Sequence, residues 1–435
     1  MASDAISELL AGTWRDPETG MPVSVPVQSI VLAESLAGIE TELVGRLALG
    51  RRFAVVSDPA THDVLGARVE TAVASLGPIE PVRLPDRPHP DDATAAKLRT
   101  ATAAADALIA VGSGTINDLC KYVAAQDGKP YAVFGTAPSM NGYTSGNAAI
   151  TVAGLKKSLP ARAPAGVFLD LGVLAAAPAR MIRSGLGDSL CRPTAQADWL
   201  LSHLLRGTAY REAPFALLAE DESELFDGAA ALMAGDLTAM RRLARTLVLS
   251  GLGMGIGGGS YSASQGEHLI SHYVEMVGAP GSKESFHGEQ IGVATLTLAR
   301  LQERILAQDA APVLQPTAID VADILAHFGP ETGTACLREF EAKALSPADA
   351  DSLNARLARQ WPALRRRIGD IHRSSASLAR TLAAAGAPTR PAELGWPPEF
   401  YRTALRRARQ IRSRYTFLDL AGDAGLLNAF IAGEG

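Results

Sequence analysis

The stretch from Ala107 to Phe134 restricts the fold of this chain more than any other. Ala107-Leu108-Ile109-Ala110-Val111 is an unbroken apolar run. Gly112-Ser113-Gly114-Thr115 turns the chain, residues 117–125 have a helical pattern, and Tyr131-Ala132-Val133-Phe134 is apolar again. Strand, glycine turn, helix and strand make a βαβ unit. Parallel strands joined in this way need helices on both faces of their sheet. Short apolar runs at 53–58, 81–84 and 166–170, with a weaker one at 27–32, supply further strands.

Beyond about Pro178 the pattern changes. Residues 188–205, 214–232, 237–249, 267–277 and 292–306 all read as helices, with no strand alternation and no internal repeat. The sequence therefore predicts an α/β class fold, in which a parallel-sheet domain over 1–178 is followed by an all-helical domain over 179–435. A cleft between them is the expected ligand site. A length of 435 residues suits two cores, and 47% hydrophobic with 20% charged residues suits a globular chain.

Net charge is −5, which argues against a nucleic-acid partner. Cys120, Cys191 and Cys336 are far apart and show no CxxC spacing, so a reducing cytoplasm is expected rather than a disulfide framework. No signal peptide and no membrane span are expected.

In open α/β sheets ligands bind beyond the carboxyl ends of strands. The turn at Gly112 and Gly114 and the segment 136–145 both fall there. Glycines let backbone approach a phosphate, and a helix start offers free N–H groups. A plain βα turn accounts for the same residues equally well. Gly253-Met254-Gly255-Ile256-Gly257-Gly258 matches GxGxxG, but a helical pattern precedes it, so it reads as a flexible or closely packed segment.

Three of the eight histidines lie close together. His268 and His272 share a helix face, and His287 follows in Phe286-His287-Gly288. Spacing alone leaves a polar helix face and a site equally open. Asp188, in Gly185-Leu186-Gly187-Asp188, reads as a helix-start aspartate, and with His268 and His287 it completes an Asp-His-His set. Two imidazoles and one carboxylate suit zinc, iron or nickel and leave positions for water or substrate. His272 is then placed for proton relay or substrate contact. The same set would suit a non-haem iron oxygenase, but the HxD pairing of such enzymes is absent.

Several motifs in order resemble the sn-glycerol-1-phosphate dehydrogenase family of the iron-containing alcohol dehydrogenase and dehydroquinate synthase-like superfamily. They are 112–118, 136–145, 185–188, Gly266-Glu267-His268 with His272, and the tail 412–420. The resemblance implies a dehydroquinate synthase-like architecture, with a Rossmann-like NAD(P)-binding domain and a helical domain that binds metal and substrate. It implies NAD or NADP and one divalent metal (Zn, Ni or Fe) as cofactors. Gly112, Gly114, Thr115, Asn117, Asp118, Thr136, Ser139 and Ser145 fall on nucleotide-binding positions. Asp188, His268 and His287 fall on metal ligands; Asp188, His272 and Asn141 are the candidate catalytic residues, His272 on a substrate contact and Asn141 at a position associated with substrate. The implied reaction interconverts a polyol phosphate and its ketone, as in sn-glycerol 1-phosphate and dihydroxyacetone phosphate. A homo-oligomer is expected.

Two departures accompany the likeness. Asn141 stands where the family carries Asp, and Ser260-Tyr261-Ser262-Ala263-Ser264 stands where it carries Ser-Arg-Pro-Ala-Ser. Lys156 and Lys157, just before Pro160, read as a solvated loop, with a phosphate-partner role as the alternative. Rival readings are a dehydroquinate synthase-like lyase, a dehydrogenase of another polyol, and a catalytically idle nucleotide-binding protein.

Overall fold

The computed structural model describes residues 4–152, 155–279, 281 and 285–434; of residues 155 and 156 it describes the backbone alone. The chain forms two compact units, Met1–Ser189 with Glu212–Gly259, and Leu190–Arg211 with Ser260–Gly435. By contact the helices between Glu212 and Gly259 group with the sheet, whereas sequence pattern grouped them with the helical half.

The first unit is built on six strands, β1 (Ser29–Ala33), β2 (Phe53–Ser57), β3 (Ile79–Arg83), β4 (Ala107–Gly112), β5 (Tyr131–Gly135) and, after a hairpin, β8 (Gly166–Asp170). All pair in parallel in the order β1-β8-β5-β4-β2-β3. β2, β4, β5 and β8 are buried along their whole length, as continuous apolar runs in a covered parallel sheet should be. The strand order reverses between β2 and β4. That is the switch point beyond which α/β sheets hold their ligands.

The hairpin is β6 (Asn147–Val152) paired antiparallel with β7 (Leu155–Pro160). Sequence reading assigned no strand there. The available signal was the alternation that buries Ala148 and Ile150 between less buried neighbours.

Asp188 does not start a helix as expected; it lies in the last turn of the helix Ala179–Leu190. Gly185 and Gly187, just before Asp188 in sequence, lie inside that helix. Gly185 is a contact residue: a Cβ there would lie 1.7 Å from the Pro138 carbonyl oxygen. The helix Leu237–Ile256 likewise runs through glycines. A Cβ on Gly251 would meet Thr144 Oγ1 at 2.2 Å and the Asn141 carbonyl at 2.6 Å. Both glycines give up helix propensity, about 1 kcal/mol each, and let two helices close on the segment 138–145.

In the second unit the helices Gly266–Val277 and His287–Leu306 carry the histidines. Leu269, Ile270, Tyr273 and Val274 pack into a core with Val293, Ala294, Leu298, Trp361 and Phe417. That helical spacing commits one face to the core and leaves His268, His272 and Glu275 on another. Among the described residues, no helix is long and apolar enough to cross a membrane.

Candidate active site

In the first unit Gly112 ends β4, and Gly114 opens the helix Gly114–Gln126. A Cβ on Gly112 would lie 2.6 Å from the Ile116 side chain, so this tight turn needs glycine. At Gly114 the nearest atom to a Cβ would be Met140 Cγ at 3.4 Å, ordinary contact. Ser113 makes no side-chain cap, and Thr115 is half-buried in the first turn. This helix start can therefore offer N–H groups and a dipole to an anion. Thr136 N donates to the Gly112 carbonyl at 3.1 Å and so joins the two strand ends.

Asn117, Asp118 and Ser145 form a network. Asp118 accepts from Asn117 Nδ2 at 3.0 Å and from Ala149 N at 3.0 Å. Lys121, fully buried, donates to Ser145 Oγ and to the Asn147 carbonyl, both at 3.1 Å, and to the Gly142 carbonyl. Sequence reading missed Lys121, since lysine on a helix is ordinarily solvated. The Ser139 carbonyl accepts from Ser184 Oγ at 3.1 Å. Asn141 N donates to Asp188 Oδ2 at 2.9 Å, and its Nδ2 donates to Ser250 Oγ at 3.2 Å. Lys157 is exposed on β7, and the side chain of Lys156 lies outside the described residues.

In the second unit the three imidazoles converge. The His268 and His287 rings are 5.2 Å apart edge to face, His268 and His272 5.9 Å, and His272 and His287 6.2 Å. Glu267 Oε1 lies 2.9 Å from His268 Nδ1 and accepts from Gln265 N at 2.8 Å. Burial lifts the Glu267 carboxyl to about 7 against those hydrogen bonds. A carboxylate on Nδ1 leaves the other ring nitrogen, Nε2, with its lone pair available, as a histidine needs in order to bind a metal. Glu275 sits between the other two, 3.4 Å from His272 Nδ1 and 3.6 Å from His287 Nδ1. Sequence reading gave it no role, although it lies one turn beyond His272.

Burial, the largest influence, pushes the His272 imidazole down to about 3, with Glu275 pulling the other way. A neutral ring of such low basicity is better suited to hydrogen bonding than to carrying a proton near pH 7. Cys191 also approaches this group; ligand atoms of Cys191, Glu267 and His268 lie within 4.8 Å of one another.

The departing segment is braced by the tail. Arg414 lies over the Tyr261 ring at 4.7 Å and donates to Ser260 Oγ at 2.8 Å and to the Ser264 carbonyl. Trp199 stacks on Tyr261 with centroids 5.7 Å apart. Within the second unit two imidazoles, one oriented by a carboxylate, offer donors of a kind suited to a divalent metal; within the first, Asp188 is held by a backbone N–H.

The fold is that of the iron-containing alcohol dehydrogenases. The family model for iron-containing alcohol dehydrogenase matches residues 31–178. A probable glycerol dehydrogenase from Sinorhizobium meliloti superposes with a TM-score of 0.61 at 20% identity, covering 93% of this chain and 98% of that one. Glycerol-1-phosphate dehydrogenase (NAD(P)+) of Bacillus licheniformis is 29% identical over 408 residues, 92% of this chain and 90% of that protein. Its Bacillus subtilis counterpart is 31% identical over 301 residues, 67% of this chain and 76% of that protein. The chain belongs to the glycerol-1-phosphate dehydrogenase family.

Proposed function

We propose that this protein is a metal-dependent, NAD(P)-linked oxidoreductase that interconverts sn-glycerol 1-phosphate and dihydroxyacetone phosphate. The observation that carries the reading is likeness along most of the chain to relatives named for that activity. In the division of labour proposed, residues 1–178 bind nucleotide and 179–435 bind metal and substrate.

The turn Gly112, Gly114 and Thr115 would receive the cofactor's phosphates on backbone N–H groups, with Asn117, Asp118, Thr136, Ser139 and Ser145 shaping its surroundings. Asp188, His268 and His287 each present a ligand atom suited to a divalent zinc, nickel or iron. When bound, the metal supplies Lewis-acid polarisation of the alcohol oxygen and the nicotinamide accepts hydride. His272 holds its place as a neutral hydrogen-bonding group toward substrate. Asn141, an amide bonded to Ser250, orients without contributing charge. A reducing cytoplasm and a homo-oligomer belong to the same proposal; the three cysteines are free and buried, which suits the former.

A dehydrogenase of another polyol is the second reading, favoured by Tyr261, which puts an aromatic ring rather than a cation at the head of the segment before the histidine helix. The test is a panel of polyols and polyol phosphates with NAD and NADP and with zinc, nickel or iron(II). Accumulation of reduced cofactor with glycerol 1-phosphate supports the proposal. Accumulation only with an unphosphorylated polyol selects the second reading. Turnover without net reduction points to a lyase, and nucleotide binding with no turnover anywhere sinks enzymatic function altogether.

A further inference from the structure

We infer that Lys121 is a positioning residue for Asp188, acting through the segment Asn141 to Ser145. The inference rests on the reading of Asp188 as a metal ligand.

Lys121 lies about two turns into the helix that starts at the glycine turn, and none of its surface is exposed. Its ammonium has three protons and three acceptors, the carbonyls of Gly142 and Asn147 and the hydroxyl of Ser145. Asp118 Oδ1 stands 3.6 Å away as the nearby opposite charge. Taking an ammonium out of water costs several kcal/mol, so a fully buried lysine persists only where its partners offset that cost. All three acceptors belong to one short stretch, 142–147. Asn117 Nδ2 reaches the same Gly142 carbonyl at 3.5 Å.

The residue just before that carbonyl's own is Asn141, whose N–H donates to Asp188 Oδ2. Gly185 and Gly251 admit the two flanking helices close against the segment. The segment is thus gripped from three sides, and the third grip is the ammonium. A hydrogen bond to one carboxylate oxygen fixes the rotation of the group and determines which lone pairs remain for a cation. Lys121 therefore acts on Asp188 without touching it. A chain lacking the ammonium would keep the fold's two helical contacts but hold the Gly142 carbonyl only through Asn117 and Ser145, loosening the segment that presents the Asn141 N–H to Asp188.

The experiment measures zinc affinity of the full, metal-stripped chain by chelator competition without nucleotide, together with the melting temperature of the same samples. Lys121→Met is expected to bind zinc roughly tenfold more weakly while still folded, in the range seen when partners of metal ligands are removed. Ser145→Ala, which removes one acceptor, is expected to lose less in the same direction. A purely structural tie would lower the melting temperature and leave the affinity of folded protein unchanged. Folded Lys121→Met with wild-type zinc affinity overturns the inference. If Lys121→Met does not fold, wild-type affinity in Ser145→Ala overturns it. Asp188→Asn separates the two levels. If it binds zinc normally, the ligand assignment fails; if it loses zinc while Lys121→Met does not, only the positioning role fails.

Discussion

Glu267 Oε1 lies 2.9 Å from Nδ1 of His268, its neighbour in sequence, and both side chains are buried. Adjacent helical residues ordinarily point apart, so the contact requires the Glu267 side chain to fold back over the helix start, where it also takes the Gln265 N–H. The imidazole is oriented and made more basic at Nε2. Glu267→Gln keeps an acceptor oxygen and removes the charge. It is expected to weaken metal binding about 10–100-fold, while His268→Ala loses metal and activity together. Equilibrium dialysis against a chelator measures both; full metal occupancy in His268→Ala contradicts the ligand assignment.

Gly185, inside its helix, and Gly255, in the last turn of the helix Leu237–Ile256, carry opposite expectations. A Cβ at 185 meets a backbone oxygen that cannot move aside, whereas nothing lies within 4 Å of a Cβ at 255. Gly185→Ala is expected to cost about 3 kcal/mol or more through overpacking. Gly255→Ala is expected to gain up to about 1 kcal/mol from helix propensity. Urea denaturation reads both, and equal effects at the two sites would refute the close-contact account.

Asp170 supplies a pH signature. Burial raises its pKa, but bonds from Leu36 N, from Arg68 and from Val173 N outweigh that and leave the carboxyl below its ordinary value. A lowered folded pKa means that the ionised form stabilises the fold. The contribution is complete above the unfolded pKa of about 3.9 and is lost as pH falls through the folded value. Asp170→Asn should therefore cost about 1–3 kcal/mol at neutral pH, and the difference from wild type should shrink in acid. A difference that stays constant from pH 7 to pH 3 would count against it.

Asn141→Asp tests the departure from the family's aspartate. Ser250 Oγ can change from acceptor to donor, so the pair survives the exchange. Stability is expected to stay within about 1 kcal/mol of wild type. The variant's rate profile should gain an acidic limb beyond those of Asp188 and Glu267 that it shares with the wild type, because a carboxyl titrates where an amide does not. Identical pH–rate profiles would show that this side chain takes no part in turnover.

The parallel sheet and the glycine turn were legible because buried strands leave unbroken apolar runs. The histidine cluster was legible as well, since two members share a helix face and the third lies nearby in sequence. Asp188 was placed at a helix start and lies in a last turn instead, because glycines that allow close packing inside a helix look the same in sequence as glycines that flank one. Lys121 and Ser250 gave no signal, since their partners come from other elements; Glu275 lies one turn beyond His272 on the same helix, a signal that was passed over. The β6–β7 hairpin was lost among alanines and polar residues too ordinary to stand out.

Asp198 accepts from the first N–H of the histidine helix, Gly266 N at 2.9 Å, and from Phe417 N at 2.8 Å. Gly266 is 68 residues along the chain from this carboxylate and Phe417 is 219. During synthesis, then, the start of the histidine helix can be anchored long before the tail exists, but of the three donors to that carboxyl, Gly266 N, Gln302 Nε2 and Phe417 N, the last is made only when residue 417 has emerged. The anchor of the histidine helix is in this way completed late in the life of the nascent chain, by a backbone N–H far along the sequence from the histidines.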